Sequence, residues 1–176
     1  MTFANQGVHV ASMRFEEGET ALIVGVPEAE PLVRRWRQRE IGVPAHVTVL
    51  APFLHVSRID EGTHGELRAL FARHSAFEVS FRRVGRFPEV VYLVPEPEAA
   101  FVNLTQAVVA RWPETPPYRG TFAEIVPHLT VALGSGLDEA KIAGGLPLTA
   151  TAAAVSLMVC DDGEHWSEVA EFRLAS

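Results

Sequence analysis

Two nearly identical tetrapeptides, one in each half of the chain, constrain its fold more than any other feature. Residues 46–49 read His-Val-Thr-Val and residues 128–131 read His-Leu-Thr-Val. Both segments are rich in β-branched residues, which favours a strand in each case. Successive side chains of a strand point to opposite faces, so each histidine projects with its threonine while the apolar residues enter the core. We therefore predict strands over 46–50 and 128–133, with Leu133 on the buried face of the second strand.

The segments that precede the two tetrapeptides also resemble each other. Residues 26–28 and residues 94–96 both read Val-Pro-Glu, and each is followed by a helical stretch that carries an Arg-Trp pair. The repeat predicts two β-α-β lobes with unequal loops rather than a short-period array. No Ser- or Gly-rich linker divides the lobes, so we expect residues 20–176 to form one bilobed domain, preceded by a flexible tail over 1–19.

Hydrophobic spacing predicts most of the remaining elements. Alternation at Phe77, Val79 and Phe81 predicts a half-buried strand, and apolar runs predict strands over 20–26 and 90–94. Helices are predicted where apolar residues step by three and four, namely at Leu32, Val33 and Trp36, at Leu67, Leu70 and Phe71, and at Phe101, Leu104, Val108 and Trp112.

Turn and cap residues add two boundaries. Ser57, followed by Asp60, predicts the N-cap of the second helix, which gives the His-Val-Ser sequence at 55–57 a structural role despite its similarity to the tetrapeptides. Apolar segments over 152–160 and 169–174 flank an Asp-Gly turn signal, so they predict a hairpin.

Composition excludes several classes of protein. Hydrophobic residues make up 48% of the 176 residues, which is globular, but no apolar run approaches the roughly 20 residues that span a bilayer. The net charge is −7, the only lysine is Lys141, and the arginines cluster only over 34–39, where a solvated helix face explains them. We therefore expect neither a membrane nor a long duplex nucleic acid as partner.

The lone Cys160 lies in an apolar run and predicts a buried thiol in a cytoplasmic protein.

The two histidines suit acid–base chemistry at phosphorus. Cleavage of a phosphodiester needs a base for the nucleophile and an acid for the leaving oxygen, and the ordinary pKa of histidine serves both. The hydroxyls of Thr48 and Thr130 can hold the non-bridging oxygens. If one phosphate fits between His46 and His128, their imidazoles lie roughly 5–8 Å apart, two hydrogen bonds plus a phosphate. This chemistry needs no metal, and neither zinc-binding nor cofactor-binding motifs occur, so we expect no cofactor.

Residues 44–53 and 122–132 resemble the two signatures of the 2H phosphoesterase superfamily, in its bacterial 2'-5' RNA ligase-like branch. The resemblance extends over residues 21–174. It implies a bilobed α+β fold, with antiparallel sheets and flanking helices around a central groove, and cyclic phosphodiesterase or 2'-5' RNA ligase chemistry. It also implies that His46 and His128 are the catalytic pair and that Thr48 and Thr130 bind phosphate. Ala51 stands where relatives often carry tyrosine.

Four further residues are candidates for substrate binding. Phe53 and Phe122 flank the two tetrapeptides, where either ring could stack on a nucleobase or pack in the core. Tyr118 and Arg119 lie in the loop before the second tetrapeptide, where a cation could meet a phosphate.

The sequence thus favours hydrolysis of a small cyclic phosphodiester, in a 2',3'-cyclic nucleotide or at a short RNA end. Reversible 2'-5' RNA ligation is an alternative that uses the same groups. A binding module without turnover is another, although two complete tetrapeptides argue against lost catalysis. The oligomeric state is left open.

Overall fold

The computed structural model describes residues 13–121 and 124–176. Its strands are β1 (Thr20–Gly25), β2 (His46–Leu50), β3 (Phe77–Phe87), β4 (Val90–Glu96), β5 (Leu129–Leu133), β6 (Leu148–Ala152), β7 (Ala154–Cys160) and β8 (Trp166–Arg173). Its α-helices are α1 (Glu30–Arg34), α2 (Glu61–Phe71), α3 (Glu98–Arg111) and α4 (Glu139–Ala143), and short 3-10 turns cover Pro27–Ala29, Val56–Arg58 and Pro117–Gly120.

The strands form two curled antiparallel sheets, one for each lobe. The strand orders are β2-β1-β7-β8 in the first sheet and β5-β4-β3-β6 in the second. Strands β2 and β5 are therefore both edge strands, and they contact each other between the lobes. The first tetrapeptide lies wholly in β2, whereas β5 begins at Leu129, so His128 directly precedes its strand and does not belong to it as predicted. The predicted α+β architecture is confirmed.

The two edge strands share a local irregularity that the repeated sequence explains. The register of β1 with β2 shifts between Leu22 and Ile23, which leaves Val49 without a paired residue. The register of β4 with β5 shifts between Val91 and Tyr92, which leaves Val131 unpaired in the same way. A bulge thus follows the threonine of each tetrapeptide at the equivalent position, and bulges of this kind redirect the residues that follow them.

The bulge in β5 corrects one expectation. Val131 and Ala132 are both buried, at 3% exposure each, whereas Leu133 is 43% exposed. Strict alternation placed Leu133 in the core, but the extra residue at Val131 reverses the alternation beyond it. Leu133 consequently faces the cavity between the lobes.

Two boundaries also differ from those predicted. The apolar segment that begins at Ala152 is divided at Ala153, because Ala152 pairs with Phe77 in the second sheet whereas Ala154 pairs with Arg173 in the first. The chain therefore crosses between the lobes inside this segment, and only β7 and β8 form the predicted hairpin. The second helix is capped by Asp60, whose carboxylate accepts from the Thr63 amide at 2.8 Å, and not by Ser57.

Residues 13–19, which the sequence places in a tail, contact the first sheet. The Phe15 ring packs edge-on against Trp166 at 4.9 Å, and the Gly18 amide donates to the Cys160 carbonyl at 2.8 Å.

The Cys160 thiol is free and buried, as predicted. Within the described residues, no helix is long and apolar enough to cross a membrane.

The lobes share one hydrophobic core, and a buried threonine joins α3 to β2 within it. Thr105 is 1% exposed, and its hydroxyl donates to the Val49 carbonyl at 2.6 Å. Val49 is the bulged residue of β2 and has no residue opposite it in the register with β1. The Thr105 hydroxyl, which also lies 3.1 Å from the Phe101 carbonyl of its own helix, therefore supplies a donor to a buried carbonyl of β2.

We expect Thr105→Val to lower the free energy of unfolding by about 1–3 kcal/mol, the cost of leaving a buried acceptor unsatisfied. Thr105→Ser keeps the hydroxyl and should lose less stability. Thr151→Val, at an exposed position of β6, is the matched control. Chemical denaturation checks the prediction, and unfolding of Thr105→Val at the wild-type denaturant concentration would contradict it.

Candidate active site

The two tetrapeptide histidines are held in the same way. The Nδ1 atom of His46 lies 2.7 Å from the Pro44 carbonyl oxygen, and Nδ1 of His128 lies 2.7 Å from that of Val126. A carbonyl only accepts, so Nδ1 carries the proton in both rings and donates it. The neutral tautomer therefore leaves the Nε2 lone pair of each histidine free for acid–base chemistry.

A large cavity brings residues of both lobes together. Its volume is about 790 Å³, and His46 from β2 and Thr130 from β5 both line it. A smaller cavity of about 200 Å³ adjoins it and is lined by His46 and Thr48. We refer to the two cavities together as the groove. His46 and Thr48 share one face of β2, as predicted. Val47 and Val49, which alternate with them along the strand, are buried on the other face.

The smaller cavity has an apolar wall built mainly from the first sheet. The wall is made of Ala21, Ile23, Ile41, Val43, Ala51, Met158 and Trp166. The small side chain of Ala51 leaves this space open beside Thr48. Gly42 allows the loop that carries Ile41 and Val43 to lie close to β8, because a Cβ atom there would come within 2.2 Å of the Trp166 carbonyl oxygen.

Aromatic rings support His128, which is 8% exposed. The Phe87 ring contacts the imidazole edge-on at 5.3 Å, and the Tyr92 ring contacts it at 5.5 Å. Tyr92 is also the cross-strand neighbour of Thr130 and faces Gly85 on β3. A Cβ atom at Gly85 would lie 2.4 Å from the Tyr92 ring, so a larger residue there would displace this ring.

Burial lowers the pKa of both histidines. Loss of solvation is the main cause at His46, where the positive charge of Arg37 adds to it and the charge of Glu30 opposes it. Loss of solvation also dominates at His128, and the positive charge of His46 lowers the pKa of His128 further. Both shifts favour the neutral imidazole in the free protein, and the two rings interact electrostatically.

The other four predicted site residues differ in their surroundings. Phe53 is 5% exposed and packs edge-on against Trp112 at 5.2 Å, so its ring belongs to the core and offers no free face to a nucleobase. Tyr118 lines the smaller cavity, and burial raises its pKa to about 12. The Arg119 guanidinium binds the Glu19 carboxylate, with distances of 2.8 and 2.9 Å. Phe122 lies outside the described residues.

Sequence reasoning missed two contributors to the groove, Trp166 and Arg37. Trp166 begins a strand whose pattern gave no sign of a ligand-facing role. Arg37 belongs to the arginine cluster interpreted as a solvated face, yet its side chain is only 14% exposed and binds Glu30.

His55 has the structural role predicted for it, since its ring binds the Ser57 hydroxyl at 2.8 Å. Within residues 13–121 and 124–176, no three His, Cys, Asp or Glu side chains form a group that could hold a metal ion.

The two-lobed fold and the paired histidine strands define a class of phosphoesterase-like proteins. The sequence profile of the 2'-5' RNA ligase superfamily matches residues 25–164. The chain belongs to this superfamily, and the resemblance to 2H phosphoesterases is confirmed. A search of curated protein sequences finds no significant match.

Solved structures of this class share the fold. E. coli LigT complexed with 3'-AMP aligns with a TM-score of 0.61 at 14% identity, and LigT complexed with NADP+ aligns with a TM-score of 0.59 at 16% identity. Each alignment covers 92% of this chain and 100% of LigT. The protein TT0787 of Thermus thermophilus aligns with a TM-score of 0.55 at 21% identity, over 92% of this chain and 98% of that chain.

We expect His46→Gln to raise the pKa of His128, because the substitution removes the positive charge that disfavours a second proton. In the wild-type protein both histidines should titrate below their ordinary value of 6.5. NMR pH titration of the imidazole resonances measures both values. His74→Gln, outside the groove, is the control. A wild-type His128 that titrates above 6.5, or that does not respond to His46→Gln, would contradict the coupling.

Proposed function

We propose that the chain is a metal-independent phosphoesterase in which His46 and His128 hydrolyse a small cyclic phosphodiester by general acid–base catalysis. The observation that carries this proposal is the matched setting of the two imidazoles. Each donates from Nδ1 to the carbonyl two residues before it, at 2.7 Å, and each leaves Nε2 available. Two imidazoles that are held in the same way suit a reaction that needs one base and one acid.

The proposed reaction proceeds in one displacement. The Nε2 atom of one histidine takes a proton from water as the water oxygen forms a bond to phosphorus. The ring P–O bond breaks, and the protonated Nε2 of the other histidine gives its proton to the departing ribose oxygen. The products are a phosphate monoester and a free hydroxyl, and the Thr48 and Thr130 hydroxyls donate to the non-bridging oxygens.

The lowered pKa of each histidine fits this scheme. Two neutral imidazoles in the free protein provide the base, but the acid must gain a proton. A bound phosphodiester anion favours that protonation, since an opposite charge nearby stabilises imidazolium. Substrate binding would therefore favour the active state, in which one histidine is neutral and the other is protonated.

The chemistry of the groove suits a nucleotide. The smaller cavity places apolar surface beside His46 and Thr48, where a nucleobase or sugar face can pack, and ligand sites commonly combine such surface with a few polar groups. The LigT structures contain small nucleotides, 3'-AMP among them, which supports this ligand class. The net charge of −7 argues against a long RNA substrate. If an RNA 5'-hydroxyl replaced water as the nucleophile, the same groups would perform 2'-5' ligation.

The test is a screen of 2',3'-cyclic nucleotides and cyclic-phosphate-ended oligonucleotides, with and without a 5'-hydroxyl acceptor strand, in the presence of EDTA. We expect hydrolysis that survives chelation. His46→Ala and His128→Ala should each lower kcat by about 10²–10⁴-fold, the usual contribution of a positioned proton-transfer group. Thr48→Ala and Thr130→Ala should cost less, because the proton relay is intact.

His74→Ala is the matched control and should retain wild-type turnover. Folding should be preserved in all these variants, as circular dichroism can check. Wild-type turnover of a confirmed substrate by a folded His46→Ala/His128→Ala protein would refute the two-histidine mechanism. Loss of activity in EDTA with recovery on adding a divalent ion would refute metal independence.

A further inference from the structure

We propose that Glu30 and Arg37 form a positioning pair that fixes His46 through the loop preceding β2. The proposal rests on the assignment of His46 as a proton-transfer group. Neither residue touches the reacting atoms in the proposed reaction. Their role is to hold the backbone that orients the imidazole.

The pair is anchored at both ends of a short segment. One carboxylate oxygen of Glu30 accepts from the Ala45 amide at 2.7 Å, and the other accepts from Arg37 Nη1 at 2.6 Å. The second guanidinium nitrogen of Arg37 donates to the Val43 carbonyl at 3.3 Å. The Ala45 carbonyl in turn accepts from the Val26 amide at 2.8 Å. The peptide groups on both sides of Pro44 are therefore fixed.

Pro44 itself supplies the contact that matters for the site. Its carbonyl oxygen accepts from Nδ1 of His46 at 2.7 Å. A shift of residues 43–45 would move this acceptor, and with it the direction of Nε2. Misplacement of a reacting group by about 1 Å can cost about 10²-fold in rate.

Burial distinguishes this ion pair from the other ion pairs of the described residues. The Glu30 and Arg37 side chains are 21% and 14% exposed, and Ala45 is 2% exposed. An exposed pair such as Arg58–Glu114, with side chains 60% and 46% exposed, contributes little. The charge of Arg37 is also shared with Glu40, at 3.0 Å. The hydrogen bond from Arg37 lowers the pKa of Glu30, so the pair is charged at neutral pH.

The two charges act on His46 in opposite directions, which makes the proposal testable. Glu30→Gln has only one acceptor end where the carboxylate has two, so it must lose the Ala45 or the Arg37 contact. It also leaves the Arg37 charge balanced by Glu40 alone, and the pKa of His46 should fall. Arg37→Met removes the main positive charge beside Glu30, and the pKa of His46 should rise. Simple loosening of the fold would expose the imidazole and raise the pKa in both variants.

The experiment is an NMR pH titration of the imidazole resonances in the unliganded wild-type protein, Glu30→Gln, Arg37→Met and Arg37→Lys. His46→Ala identifies the His46 signal, and ¹⁵N shifts report whether Nδ1 keeps its proton. Opposite pKa shifts support the proposal, and Arg37→Lys should stay nearest the wild type. Glu114→Gln is the control. Unchanged His46 titration in the Glu30 and Arg37 variants, or an upward shift in both, would overturn the proposal.

Kinetics with a confirmed substrate then tests the consequence. Glu30→Gln should lower kcat by up to about 10²-fold with little change in KM, since the defect is in orientation. If Arg37→Met fails to fold, Glu30→Gln alone decides between the two explanations. The positioning pair predicts that this substitution lowers the pKa of His46, whereas loosening of the fold predicts that it raises that pKa. The titration needs no substrate, so opposite shifts in a protein that turns over no phosphodiester would refute the proposed function and leave the pair's action on His46 established.

Discussion

The alternation of buried and cavity-facing residues along the first edge strand, β2, determines where His46 points. Val47 and Leu129 are both fully buried, and each lies directly after a histidine. Because strand side chains alternate, the core contacts of Val47 force His46 to the opposite face of β2 together with Thr48, whereas His128 directly precedes β5 and is itself only 8% exposed. The bulge after each threonine then ends the alternation. Core packing therefore sets the direction of His46, and the rings of Phe87 and Tyr92 hold His128.

The two lobes hold equivalent histidines with different supports. Each imidazole donates to the carbonyl two residues before it. His46 depends on a loop fixed by the Glu30–Arg37 pair, which acts by charge and hydrogen bonding, whereas His128 is packed against the rings of Phe87 and Tyr92. Such a difference gives the two imidazoles different electrostatic surroundings.

Features set by local sequence were predictable, whereas those set by long-range contacts were not. Alternation and turn chemistry located β2, β5 and the β7–β8 hairpin. The exposure of Leu133 was missed because a bulge depends on pairing with a distant strand. The break at Ala153 was missed because the flanking strands pair in different sheets, although both are apolar. The burial of Arg37 was missed because nothing in its own segment shows that Glu30 also binds the Ala45 amide.

The most direct test of the central claim is a crystal structure of the protein with inorganic phosphate bound. The account predicts one phosphate between the lobes, with Nε2 of His46 and Nε2 of His128 each about 2.6–3.2 Å from its oxygens. The imidazoles should lie roughly 5–8 Å apart, with the Thr48 and Thr130 hydroxyls on the same phosphate. Imidazoles directed to opposite surfaces, or a phosphate held elsewhere by other residues, would contradict it.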